Sequence, residues 1–116
     1  MYEIEFYSTE EGRKPVEDFL DSLEPKMLAK VLRTIDLLEA NGPYLREPYS
    51  GSMGDGLFEL RTIQGSNITR IFYFFFVGQK AILTNGFKKK SNKTPKGELK
   101  LARKYKEDYE RRCCNE

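Results

Sequence analysis

Ile68-Thr69-Arg70-Ile71-Phe72-Tyr73-Phe74-Phe75-Phe76-Val77 is the stretch that decides the fold. A strand covered on one face alternates apolar and polar side chains. Here Ile71, Tyr73, Phe75 and Val77 on one parity and Phe72, Phe74 and Phe76 on the other are apolar together. Both faces of the run need cover, so it reads as a central strand with other elements packed on each side. Leu57 to Ile63 and Lys80 to Phe87 flank it as further β-rich runs. They are separated from it by Gln64-Gly65-Ser66-Asn67 and by Gly78-Gln79, both of hairpin-turn composition. The three runs predict an antiparallel meander.

Working outward from the meander, Tyr2, Ile4 and Phe6 alternate with Glu3 and Glu5 and predict a first strand over about residues 1–7. Pro15 suits a first helical turn, and Val16, Phe19, Leu20 and Leu23 form one apolar stripe after it. Pro25 opens a longer helix whose apolar face carries Met27, Leu28, Val31, Leu32, Ile35 and Leu38, with Asn41-Gly42-Pro43 as its stop. From Gly42 to Gly56 the chain is rich in glycine and proline without sustained periodicity, and reads as one long loop facing a partner or a function. Pro95 starts a last helix with Leu99, Ala102, Tyr105 and Tyr109 on one side and lysines and arginines opposite. The expected class is α+β in the order βααβββα: a small twisted antiparallel sheet with an N-terminal helical hairpin and a C-terminal helix, in a single domain of residues 1–116.

The composition prunes the chemistry. Fifteen aromatics can supply a core, and 33% charged residues suit a soluble surface. The longest apolar run, Ile71 to Val77, has seven residues against the roughly 20 of a membrane helix, and the acidic start Met1-Tyr2-Glu3-Ile4-Glu5 is unlike a secretory signal. Cys113 and Cys114 are adjacent and close no useful loop, so no disulfide scaffold is expected and a reducing cytoplasm fits best. With no histidine, the chain has no Ser-His-Asp or Cys-His nucleophile and no imidazole ligand for zinc. Its carboxylates are scattered over the N-terminal half with no close pair in the β region, which gives no basis for a carboxylate dyad or a metal cluster. Lys, Arg, Tyr or carboxylates acting singly are left to carry chemistry, by a mechanism expected to need no metal or cofactor.

Charge locates where to look. Residues 1–60 hold 6 Lys/Arg and 13 Asp/Glu, whereas residues 61–116 hold 14 and 5, so a net charge of +2 conceals halves of −7 and +9. Between 61 and 106 there are 12 basic residues and one acidic residue, Glu98, a surface suited to a polyanion or a very acidic partner. Phe87-Lys88-Lys89-Lys90-Ser91-Asn92-Lys93-Thr94-Pro95-Lys96 places five lysines in ten residues between a strand and a helix, a spacing that neutralises successive phosphates or simply makes a solvated linker. Arg61 and Arg70 sit inside strands, where an unpaired cation is costly. Arg61 has Glu59 two residues away on its own face, so pairing and function are both open for it. Arg70 has no acidic residue nearby in sequence, which makes it the better functional candidate. Tyr73 keeps a hydroxyl able to meet a phosphate or a base, while Phe72, Phe74 and Phe75 read as core.

Three segments together resemble a known family: Leu57-Phe58-Glu59-Leu60-Arg61, Arg70-Ile71-Phe72-Tyr73-Phe74, and Asn85-Gly86-Phe87-Lys88-Lys89-Lys90 with Lys93-Thr94-Pro95. In the order βααβββα they resemble the HigB-like branch, with its phage-derived relatives, of the RelE/ParE toxin superfamily. The resemblance covers almost the whole chain and implies a RelE-like fold. It also implies a toxin of a type II toxin–antitoxin pair, a metal-independent endoribonuclease that cleaves messenger RNA on the ribosome and is held by a helix-turn-helix antitoxin. In such toxins the RNA's own 2′-hydroxyl attacks the adjacent phosphate. Arg70 would then clamp the phosphate and Arg61 add a second cation. Lys88, Lys90 or Lys93 would handle protons and developing charge, and Tyr73 would orient the nucleotide. Lys89, Lys96 and Lys100 complete the expected RNA-binding set. A gyrase-inhibiting relative and a non-catalytic nucleic-acid-binding regulator are the alternatives.

Overall fold

A computed structural model of the chain describes residues 1–89 and 95–113. The elements are β1 (Glu3–Phe6), α1 (Pro15–Asp21), α2 (Pro25–Asn41), a 3-10 turn (Gly42–Tyr44), β2 (Ser50–Gly54), β3 (Leu57–Gln64), β4 (Asn67–Phe76), β5 (Lys80–Lys89) and α3 (Lys96–Cys113). The class is α+β as expected, but the order is βααββββα. The additional strand is β2, inside the segment expected to be loop. Its sequence, Ser-Gly-Ser-Met-Gly, has little intrinsic strand preference, and it is extended because the edge of β3 offers it backbone partners, from Ser50↔Leu60 to Gly54↔Leu57. The sheet order is β1-β5-β4-β3-β2. It is mixed rather than purely antiparallel: the two helices carry the chain from β1 on one edge to β2 on the other, and the meander returns so that β5 lies parallel beside β1.

The doubly apolar β4 is central, and each of its faces has its own cover. Val16, Leu20, Leu23, Met27, Val31, Ile35 and Leu38 of the hairpin pack on Leu60, Ile71, Tyr73, Ala81 and Leu83. On the other face Ala102 and Tyr109 of α3 pack with Leu57, Phe72, Phe74, Ile82 and Phe87. Burying a large apolar side chain contributes about 1.5–3 kcal/mol, so the phenylalanine run holds both layers to one strand. Leu32 departs from the expected stripe and is 45% exposed. The centre of the stripe instead includes Thr34, which is buried and accepts a hydrogen bond from the Thr62 hydroxyl at 3.1 Å. Gly86 sits where the hairpin lies closest to the sheet: a Cβ there would be 2.5 Å from Phe19 Cδ2 and 3.1 Å from Ile71 Cγ1. No helix among the described residues is long and apolar enough to cross a membrane.

Candidate functional site: an arginine pair on the sheet

In β3 and β4, Arg61 and Arg70 are direct cross-strand partners. Both project on the α3 face, since Arg70 shares its parity with Phe72 and Phe74. Two like charges in that position repel. The repulsion is offset by Glu59, the residue preceding Arg61 on the same face, whose side chain is only 3% exposed. Its Oε2 accepts from Arg61 Nε at 3.0 Å and also from Arg70 Nη1. Glu47 supplies a weaker contact to Arg61 Nη1 at 3.4 Å. Arg70, which has no acidic residue nearby in sequence, is therefore paired all the same, so the inference that it is free for function does not follow from its sequence neighbours. Its partner is eleven residues away in sequence, brought across by strand register.

The cluster carries one carboxylate deep in the sheet, two guanidinium groups around it, and a net positive charge. Burial works against the Arg61 charge, but the hydrogen bond and charge of Glu59, helped by Glu47, outweigh it and hold the guanidinium above its ordinary pKa. Arg61 stays a cation throughout the physiological range. Two buried polar atoms, Glu59 Oε1 and Arg70 Nε, have no hydrogen-bond partner among the described residues. The Arg70 Nε–H is itself shut off from solvent, so an anion reaches it only if the side chain moves; the more accessible guanidinium is that of Arg61, whose side chain is 27% exposed against 11% for Arg70. Gly51 of β2 makes room for the arrangement, because the Arg61 guanidinium lies across it and a Cβ there would be 2.8 Å from Cζ.

Beyond the arginines the sheet leads toward the lysine-rich segment. Phe87 pairs with Arg70, and the β4–β5 register shifts between Phe72 and Tyr73 to accommodate one extra residue, Thr84. A bulge of this kind reverses the facing of every side chain after it. Asn85, Phe87 and, by alternation, Lys89 consequently fall on the α3 face with Arg70. Lys88 falls on the hairpin face opposite Thr69, and both it and Lys89 border a small cavity with Leu23 and Met27 at that end of the sheet. Asn85 docks the first turn of α3, donating to the Glu98 carbonyl and to Glu98 Oε1, both at 3.1 Å. The start of α3 is thereby set one residue pair away from Arg70 and Phe87.

The structure thus brings Arg61, Arg70 and Lys89 to one face and one end of the sheet. Lys96 opens α3 at that end and is exposed, whereas Lys100 is exposed on the outer side of α3 among Arg103 and Lys104. Lys90 and Lys93 lie outside the described residues. Tyr73 is withdrawn from the set: it is 1% exposed on the hairpin face, and its hydroxyl is taken by Ser50 Oγ at 2.5 Å. Period-two alternation already separated Tyr73 from Arg70. In sequence Glu59 neighbours Arg61 alone, and only the cross-strand register shows that it holds both arginines.

The family model for phage derived protein Gp49-like matches residues 18–107, more than three quarters of the chain. The protein belongs to this family. The matched span runs from α1 into α3 and contains Glu59, Arg61, Arg70 and Lys89. The Gp49-like family is related to toxin–antitoxin systems and associated with their toxins. No curated protein matches the chain at a significant level.

Proposed function

We propose that this Gp49-like protein is the toxin of a type II toxin–antitoxin pair and a metal-independent endoribonuclease that cuts messenger RNA on the ribosome in the cytoplasm. The observation that carries the reading is the arginine pair itself. Two guanidinium groups converge from neighbouring strands around one buried carboxylate, leaving the cluster with a net positive charge next to the strand that carries Lys88 and Lys89. A phosphodiester fits the pair through charge-assisted, bidentate hydrogen bonds.

In the proposed reaction the 2′-hydroxyl oxygen of the RNA attacks the adjacent phosphorus. The O2′–P bond forms, the P–O5′ bond breaks, the 2′-hydroxyl proton leaves to a base and the departing 5′-oxygen gains one. The products are a 2′,3′-cyclic phosphate and a 5′-hydroxyl. Arg61 and Arg70 stabilise the charge that accumulates on the non-bridging oxygens, the largest single contribution available to a site of this kind. Proton transfer falls to the lysine segment, in which Lys89 is the member placed on the arginine face and Lys88, Lys90 and Lys93 remain in the pool. Glu59 is a positioning residue that holds both guanidinium groups without touching substrate. An antitoxin partner, expected to be a helix-turn-helix protein, would silence the toxin.

A reconstituted translation reaction with primer extension on the message, run beside a gyrase supercoiling assay, tests the reading. Ribosome-dependent cuts that disappear in Arg70→Ala are the expected result. Inhibited supercoiling with an intact message would overturn it.

A further inference from the structure

We propose that a groove on the far side of the β3 edge, between α2 and the stretch that enters β2, is a second contact for single-stranded RNA, taking nucleotides that flank the phosphate held by Arg61 and Arg70. The inference rests on the ribonuclease reading and deepens it. The groove is a cavity of about 330 Å³ whose walls include Lys30, Arg33, Leu37, Tyr49, Arg61 and Ile63. Among the described residues no carboxylate lines it. That is selective, because acidic residues outnumber basic ones 13 to 6 in residues 1–60, from which Lys30 and Arg33 come. Among the described residues neither of these two cations is in an ion pair. Lys30 Nζ donates to the Ile63 carbonyl at 3.2 Å, which pins it beside the groove with further donors to spare.

The groove is open because β2 pairs with β3 only up to Leu60, so among the described residues the end of β3 has no strand on that side. Arg61 joins the two sites: its backbone N–H donates to the Tyr49 carbonyl at 2.8 Å and its guanidinium belongs to the arginine pair. Tyr49 is 44% exposed, and Tyr44, 80% exposed, precedes it on the same connection with the exposed Arg46 between them. Partly exposed aromatic rings interleaved with cations are the chemistry of single-strand binding, in which bases stack and amines follow the backbone. An acidic peptide would use the cations but leave the tyrosine faces idle, so RNA is the occupant these residues favour.

The test is fluorescence anisotropy of the full chain with a labelled, fully 2′-O-methylated 12-nucleotide RNA, which lacks the attacking hydroxyl and cannot be cut, titrated at several salt concentrations. Each phosphate contact to a single strand contributes about 0.7 to the slope of log affinity against log salt, so the Lys30→Gln/Arg33→Gln double variant should lower the slope by about 1.4 and weaken binding about tenfold. Tyr49→Ala should weaken binding by about tenfold with the slope unchanged, since stacking is uncharged. Wild-type affinity and slope in both variants would overturn the groove while leaving the ribonuclease reading standing. The same holds for unchanged RNA binding combined with loss of an acidic protein partner, which would make the groove a protein site. A wild-type chain that neither binds nor cuts RNA, on or off the ribosome, would overturn both.

Discussion

Arg70 donates to the carboxylate of Glu59, and Glu59 in turn holds Arg61, so the two candidate phosphate ligands share one buried anion. The site is preorganised by a residue that need not meet the substrate. In the proposed reaction Arg61 and Arg70 would be set in place before RNA arrives, with the cost of ordering them met on folding.

Arg70→Ala should abolish toxicity on induction while the protein still folds. Arg61 stays on Glu59 after the change, so the lost charged hydrogen bond should cost about 1.5–3 kcal/mol, measured by urea denaturation. Full toxicity in a folded Arg70→Ala protein would make Arg70 structural only.

Glu59→Ala should be the more damaging change to stability, by about 3–5 kcal/mol, because it leaves two cross-strand arginines facing each other with no buried counter-charge. The double variant Glu59→Gln/Arg70→Met, which removes the anion and one cation together, should recover part of that loss. Denaturation midpoints that rank the two in the opposite order would refute the shared-anion account.

Gly51→Ala separates activity from stability. The added methyl meets the flexible end of Arg61, which can swing aside, so unfolding should shift by less than about 1 kcal/mol while RNA cleavage falls markedly. Gly86→Ala is the contrasting case. Its methyl meets Phe19 and Ile71 in the core, and overpacking there should cost about 1–3 kcal/mol.

The C-terminal end of α3 has its own pH signature. The Tyr7 hydroxyl donates to Asp108, and burial with this neighbour pushes the Tyr7 pKa up to about 12. A raised folded pKa means a stability contribution that is complete below the unfolded value of about 10 and is lost as pH climbs toward 12. Asp108 is shifted the other way: the Tyr7 hydrogen bond, helped by Arg112, holds it below the ordinary carboxylate range. Its contribution is present above about pH 4 and lost on acidification through the lowered folded value. Tyr7→Phe should therefore flatten the alkaline loss and blunt the acid one, read as urea midpoints compared with wild type across the pH range. Parallel profiles would refute the coupling.

Most of the fold was legible in the order of residues because burial leaves a periodic trace. The two apolar parities of Ile71 to Val77 required cover on both faces, the 3.6-residue stripes after Pro15 and Pro25 marked the hairpin, and Arg61, Arg70 and the lysine run stood out as charges in unusual places. Three things were settled only in the tertiary structure. β2 exists because an edge of β3 was available, which Ser-Gly-Ser-Met-Gly does not encode locally. Glu59 reaches Arg70 through strand register, a relationship between residues with no signal in their spacing. Thr84 adds one residue to β5, and since strand facing has a period of two, that single residue turns Lys88 away from the arginines and brings Lys89 toward them. Periodicity is a property of each segment, whereas register and bulges are properties of pairs of segments, and the chemistry of this site is assembled from pairs.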